Sequence, residues 1–500
     1  MAVLIRGGQV LGGSPPALVA ADVVIDGDRI AAVGAALSAP AAARTIDAAG
    51  RIVLPGLINC HTHAHNNLVR GRAGTWTLED LLNHGPAMNG HRTPEDQYLS
   101  AAIGALEMVK TGCTAAYDLF MAIPAPTDES IEAVVRAYAD VGMRAIIAPA
   151  VADIVFYQTV PGLIDLLPTD LRGTVESIEA APTEGLLRLT EAAIRRWHGS
   201  ADGRIRIAVS PTIPGQCSDE LLAGCLRLVR EHGVGLHTHL AESKVQTVHA
   251  RRRWGTTIVE HLAEIGLLGP HFVGAHSIWL TDGDIRTMAE AGAMVAHNPA
   301  SNLRLGAGIA AVRELIDGGV TIGLGTDGSA CSDNQNLFEV LRVAALVSTV
   351  RFPHDPQRWL GAPTVWELAT AGSARVLGMA EDLGAVAPGR IADLVLLRAE
   401  SSFLRPLNDP LTALVYAETG ASVETVLVGG RVVVEQGRVT TVDEADLYAR
   451  AQVAAERQRA RAAEAWALAE RLTPYIGAAC RAAIATPFAV NRYAAPIPGV

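Results

Sequence analysis

Between residue 58 and about residue 350, short β-branched or apolar runs alternate with amphipathic stretches of roughly a dozen residues. No other property of the chain narrows its fold so far. Eight runs read as strands: "LINCHTH", "TAAYDL", "RAIIAPAV", "IRIAVSP", "VGLHTHL", "FVGAHSI", "MVAHNP" and "TIGLGTD". The stretches between them close on Gly112, Gly142, Gly199, Gly233, Gly266, Gly292 and Gly318, as expected where the residue after a helix turns left-handed.

Successive strand–helix units of this kind predict an α/β protein whose strands close into a (β/α)8 TIM-type barrel, with its active site at the C-terminal ends of the strands. The polar residues follow that rule. His61, His63, Asp118, His239, Glu242, His276, His297, Asn298 and Asp327 all fall at or just past the end of a strand run.

The flanks read differently. Residues 1–57 and 384–440 carry short extended runs broken by turns, such as "ADVVIDGDRIAAVG" and "VETVLVGGRVVVEQGRV", which predict one small β-sandwich domain built from both chain ends. The barrel then spans 58–383, and 441–500 is a helical extension in which "EADLYARAQVAAERQRARAAEAWALAERL" reads as one long helix. The connection covering 151–182 is too long for an ordinary turn. It reads either as a lid or binding segment or as a surface excursion.

Charge and cysteine content exclude several classes of function. A net charge of −11 with no basic run interleaved with aromatics gives no footprint for nucleic acid. No apolar run approaches the length of a membrane span, and the first residues lack a signal-peptide pattern, so a cytoplasmic location is expected. Cys60, Cys113, Cys217, Cys225, Cys331 and Cys480 form no C-x-x-C pair, which argues against a thiolate metal site or a disulfide framework.

Residues i and i+2 of a strand share a face, so His61 and His63 point two imidazoles at one place, a geometry suited to a divalent metal. Taken together, "PGLINCHTHAH", "GLHTHLAES", "VGAHSIWL", "HNPASNLRLGAGIAAV", "GLGTDGSACSDNQNLFEVLR" and "GAVAPGRIADLVLL" resemble the amidohydrolase superfamily. The resemblance is to the branch of chlorohydrolases and aminohydrolases that includes guanine, triazine and S-adenosylhomocysteine deaminases, and it covers roughly residues 1–440. It implies metal ligation by His61, His63, His239 and Asp327, and catalytic roles for Glu242, His276 and Asp327. It also implies a single divalent ion, zinc with ferrous iron as the alternative. Two-metal relatives need a bridging lysine after the fourth strand; this chain's only lysines are Lys110 and Lys244.

The reaction implied is hydrolytic deamination of an aminated N-heterocycle of purine, pterin, pyrimidine or triazine type, with release of ammonia. The alternative is hydrolysis of another C–N, C–Cl or C–S bond, or of a cyclic amide, at the same metal. A non-enzymatic scaffold is disfavoured because every expected ligand and catalytic position is filled. Nucleoside deaminases of this branch carry a histidine where Thr212 stands, and a ribose-gripping glutamate that "LLNHGPAMNGH" lacks, so a free heterocycle is expected. His65, Trp76, Tyr157 and Gln216 are the candidate substrate contacts, with His65 read equally as a loop histidine. The expected partners are a small heterocyclic substrate and further copies of the chain in a homo-oligomer. His237 reads as an interior residue, His297 with Asn298 as supports of the ligands, and Asp118 as a helix cap.

Overall fold

The computed structural model describes residues 2–13, 15–38 and 40–494. Every predicted strand run forms a strand, and the strands fall into two parallel sheets. In the first, Leu57–Thr62, Cys113–Phe120 and Arg144–Val151 lie side by side, and Ile205–Ile207 and Ser210–Pro211 both pair with Arg144–Val151. In the second, Leu236–Leu240, Phe272–His276, Met294–His297 and Thr321–Leu324 run in chain order. Backbone bonds tie the sheets together at both edges. The Val209 N–H donates to Gly235 O and the His239 N–H to Thr212 O, each at 2.9 Å, while the Asp327 N–H donates to His61 O at 2.9 Å.

Local chemistry starts and stops the intervening helices. Thr93, Thr257 and Thr281 each cap a helix whose N3 residue, Asp96, Glu260 or Asp284, bonds back to the cap. Gly142, Gly233 and Gly292 end helices in the left-handed conformation. Gly318 does not: its φ is −75°, and the turn falls on Gly319 at +85°.

The chain ends form one nine-stranded hydrogen-bonded sheet rather than the two facing sheets of a sandwich. Val3–Gly12 explains the continuity. Register slips between Ile5 and Gly8, so its first half pairs with Arg44–Asp47 and its second half with Arg51–Pro55, which in turn pairs with Leu394–Arg398. Alternate residues serve different cores: Val53, Leu394 and Leu396 pack with Ile5 and Val23, whereas Ile52, Leu54, Val395 and Leu397 join the large core containing the parallel sheets' helices.

The single long helix expected at the C-terminus is two helices, Glu444–Arg461 and Ala463–Ile484. Neither glycine nor proline stands at the break. Contacts decide it: Arg457 pairs with Asp96 and Gln458 bonds Met88 O, which fixes the first helix before the chain turns at buried Ala462. The second helix then crosses the long 151–182 connection, where Leu472, Ile476 and Ala479 pack on Tyr157, Val160, Leu163 and Leu171. Leu472 is fully buried, so Leu472→Ala should cost about 2–5 kcal/mol, read from the denaturation midpoint, and should hasten proteolysis within 152–182. Among the described residues, no helix is long and apolar enough to cross a membrane.

Candidate metal centre

A register shift aims the first pair of histidines. Asn59 pairs with Ala116 but Thr62 with Asp118, so one extra residue bulges between them. Ile58 and Cys60 pack with Tyr117, Val273 and Ala296, while His61, within the bulge, turns toward His237, His239 and His276, and His63, just beyond it, toward His239. The strand stops at Thr62, and His65 lies on the 3-10 turn Ala64–Val69.

Three other strand ends also bend inward through left-handed backbone at non-glycine residues: Ala241 (φ 46°), His276 (φ 67°) with Ser277 (φ 48°), and Asp327 (φ 63°). Such conformations cost about 1–3 kcal/mol each and persist where surrounding structure enforces them. Two glycines let the last strand end approach the first. A Cβ at Gly325 would stand 2.8 Å from His61 Cβ, and one at Gly328 would stand 3.0 Å from His63 Cβ.

The result is a tight, buried cluster. His63 Nε2 lies 3.2 Å from Asp327 Oδ1 and 3.1 Å from His239 Nε2, and His61 Nε2 lies 3.6 Å from Asp327 Oδ1. His276 Nε2 is 3.6 Å from both Asp327 Oδ2 and Glu242 Oε1. Donor atoms of His61, His63 and His239 lie within 4.8 Å of one another, as do those of His61, His276 and Asp327.

Their chemistry fits a cation. His63 Nδ1 faces Leu119 O at 2.8 Å and His239 Nδ1 faces Thr212 O at 2.6 Å, so both Nδ1 atoms carry the proton and both Nε2 lone pairs converge. Two lone pairs directed at one point repel unless an electrophile lies there. Donors bonded to zinc at about 2.1 Å in a tetrahedron stand about 3.4 Å apart, the scale of these separations.

Electrostatics divide the two carboxyl groups. Burial alone would raise the Asp327 pKa, but the surrounding imidazoles of His63, His276 and His61 hold it well below the usual carboxylate range. Burial, then the charges of Asp327 and Glu79, push Glu242 well above it. Burial drives His61 far down, reinforced by His63, and His297 falls to about 3. The two carboxyl groups are thus pushed in opposite directions, Asp327 toward the ionised form and Glu242 toward the protonated one.

Of the predicted substrate contacts, His65, Tyr157 and Gln216 line a cavity of about 260 Å³ that opens onto His63, His239, Glu242 and Asp327. His65 Nδ1 accepts the Met121 N–H at 3.1 Å, and the Tyr157 hydroxyl donates to Asn83 Oδ1 at 3.2 Å. Trp76 is not brought to the cavity; it stacks on His84 with ring centres 4.2 Å apart and leans on Trp466. Its short loop is claimed by the C-terminal helix, a contact with no local signal.

Other supports differ from the sequence reading. Asp118 caps no helix: it accepts the Ala64 N–H at 2.9 Å and the Tyr138 hydroxyl at 3.0 Å, which holds the turn after His63, and burial raises its pKa to about 6. Asn302, rather than Asn298, meets His276 Nδ1, at 2.8 Å. One helical turn separates the two asparagines within "HNPASNLR", and that spacing was the available clue. Glu79, just upstream of "LLNHGPAMNGH", is buried and accepts the Ser243 hydroxyl at 2.6 Å beside Glu242.

Parallel strands that deliver imidazoles and a carboxylate to one buried point, beside a second buried carboxyl group whose pKa is raised, define a metal-dependent hydrolase of the α/β class. The chain belongs to the amidohydrolase family, whose model matches residues 52–433. It is 34% identical over 454 residues to a 5'-deoxyadenosine deaminase of Methanothermobacter thermautotrophicus, covering 91% of this chain and 98% of that one. A 5-methylthioadenosine/S-adenosylhomocysteine deaminase of Symbiobacterium thermophilum is 36% identical over 468 residues, with 91% and 98% covered. Among solved structures, the zinc complex of atrazine chlorohydrolase from Arthrobacter aurescens TC1 superposes with a TM-score of 0.81 at 30% identity, covering 91% of this chain and all of that one (100%).

Proposed function

We propose that this protein is a mononuclear hydrolytic deaminase of aminated N-heterocycles, with its eight strand units closed into a barrel around the site. His61, His63, His239 and Asp327 would hold the ion. Zinc is the favoured metal because the donors are nitrogen and oxygen in a compact set and a zinc complex is a structural neighbour. A bound ion of this kind acidifies a water enough to make it a nucleophile near neutral pH.

The observation that carries the reading is the placement of Glu242 and Asp327 each 3.6 Å from His276 Nε2, with burial and charge pushing their pKa values in opposite directions. Asp327 takes the proton of the attacking water. His276, with its Nδ1–H committed to Asn302, presents Nε2 as the acceptor that orients that water. Glu242 gives its proton to the ring nitrogen beside the amino-bearing carbon and makes that carbon electrophilic. As the tetrahedral adduct collapses, Asp327 returns its proton to the departing amine, and Glu242 recovers one from the hydroxyl that becomes the carbonyl. One water enters and one ammonia leaves.

The relatives named as deaminases of adenosine derivatives favour loss of ammonia, while the chlorohydrolase neighbour favours displacement of halide as the second reading. Ammonia and chloride assays on a panel of amino- and chloro-heterocycles separate the two. Chloride release without ammonia from any amino substrate would overturn the deaminase reading.

Metal removal supplies an independent check. Purified protein should carry about one zinc per chain by emission spectroscopy. Chelation should lower turnover at least about 1,000-fold, and one equivalent of zinc should restore it. Two equivalents per active chain would contradict the mononuclear assignment.

A further inference from the structure

The cavity has a polar floor and an apolar distal half. Beyond Glu242, Asp327 and Thr212 its walls are formed by Leu78, Leu82, Met88, Ile123, Phe156 and Ala181, among others. Apart from histidines, its titratable lining residues are all acidic, the exposed Glu179 joining Glu242 and Asp327; among the described residues no lysine or arginine lines it. Arg92 does not line the cavity; its terminal nitrogens donate to the carbonyls of His65 and Met88. The distal wall is also held in place. Tyr157 and Val160, in the segment that supplies Phe156, are packed on the C-terminal helix at Leu472 and Ile476.

A carboxylate or phosphate entering this space away from the metal ligands would lose water, find no lysine or arginine and approach the exposed carboxylate of Glu179, whereas an alkyl or alkylthio group would replace water on apolar walls. We infer that the distal half is a specificity subsite for a neutral, apolar substituent on the heterocycle, and that it excludes substrates whose substituent carries a carboxylate or phosphate. This rests on the deaminase reading for the identity of the ring. Of the two compounds paired in the name of the Symbiobacterium relative, the methylthio compound carries a group of this kind and is accepted.

The test is equilibrium binding to the zinc-loaded Glu242→Gln protein by calorimetry, using two matched pairs. One pair is methylthioadenosine with 5'-deoxy-5'-(carboxymethylthio)adenosine; the other is an N-alkyl with an N-carboxyalkyl aminotriazine. The neutral member of the pair that binds should do so at least about 100-fold more tightly. Glu179→Arg should narrow that gap at least about tenfold by giving the anion a partner. Equal affinity within a pair, or a gap unmoved by Glu179→Arg, overturns the inference. If the affinities are ordered as expected but the wild-type enzyme releases no ammonia from any member, the deaminase reading falls and the subsite stands. If no member binds, both fall.

Discussion

Glu242→Gln should lower kcat by about 1,000-fold, within the range of a lost general acid, while zinc content and thermal stability stay near wild type. The amide keeps the shape of the buried side chain and its 3.6 Å approach to His276 but has no proton of suitable acidity to give. Because Glu242 is separate from the proposed ligand set, the loss should fall on kcat, with KM for an aminated heterocycle changed by only a few fold. A Gln variant that retained even a tenth of the wild-type rate would show that the ring nitrogen takes its proton from elsewhere, and the pairing of an acid with a base across His276 would have to be abandoned.

Asp327→Asn should have the larger effect, a drop of at least about 10,000-fold, because two functions leave together. The carboxylate sits within 3.2–3.6 Å of His63, His61 and His276, so its charge both draws the imidazoles to a cation and accepts the water's proton. The asparagine variant should also retain markedly less zinc after dialysis, which distinguishes it from the Glu242 variant. Circular dichroism should be unchanged, since the backbone bond from the Asp327 N–H to His61 O does not involve the side chain. Full zinc occupancy together with near-normal turnover in this variant would remove Asp327 from both roles.

The two expectations have different visibility in the sequence. Asp327 could be read from "GLGTDG" because a polar residue directly after an apolar run marks a strand end, and strand ends of successive parallel units lie on one side. Glu242 could be read from its position three residues after His239 in "HTHLAES". Neither reading discloses that Glu79, some 160 residues earlier, lies close enough for its charge to add to the rise in the Glu242 pKa and bonds the neighbouring Ser243. That contact depends on how the loop after the first strand folds back. The same loop misled the reading of Trp76, which the sequence places as close to the first strand as Glu79 but which packs on His84 and Trp466.

What the sequence determined by itself is what depends on near neighbours: strand and helix period, caps and turns, and the order in which His61, His63, His239, His276 and Asp327 arrive at strand ends. Those signals extend over a few residues, so a single chain displays them. Only the tertiary structure decided the bulge that turns His61 and His63 inward, the choice of Asn302 over Asn298, the continuity of the nine-stranded sheet, and the helix that closes over 151–182. Each of these is settled by packing between segments far apart in the chain, where the energy of a contact belongs to both partners and neither one's local pattern records it.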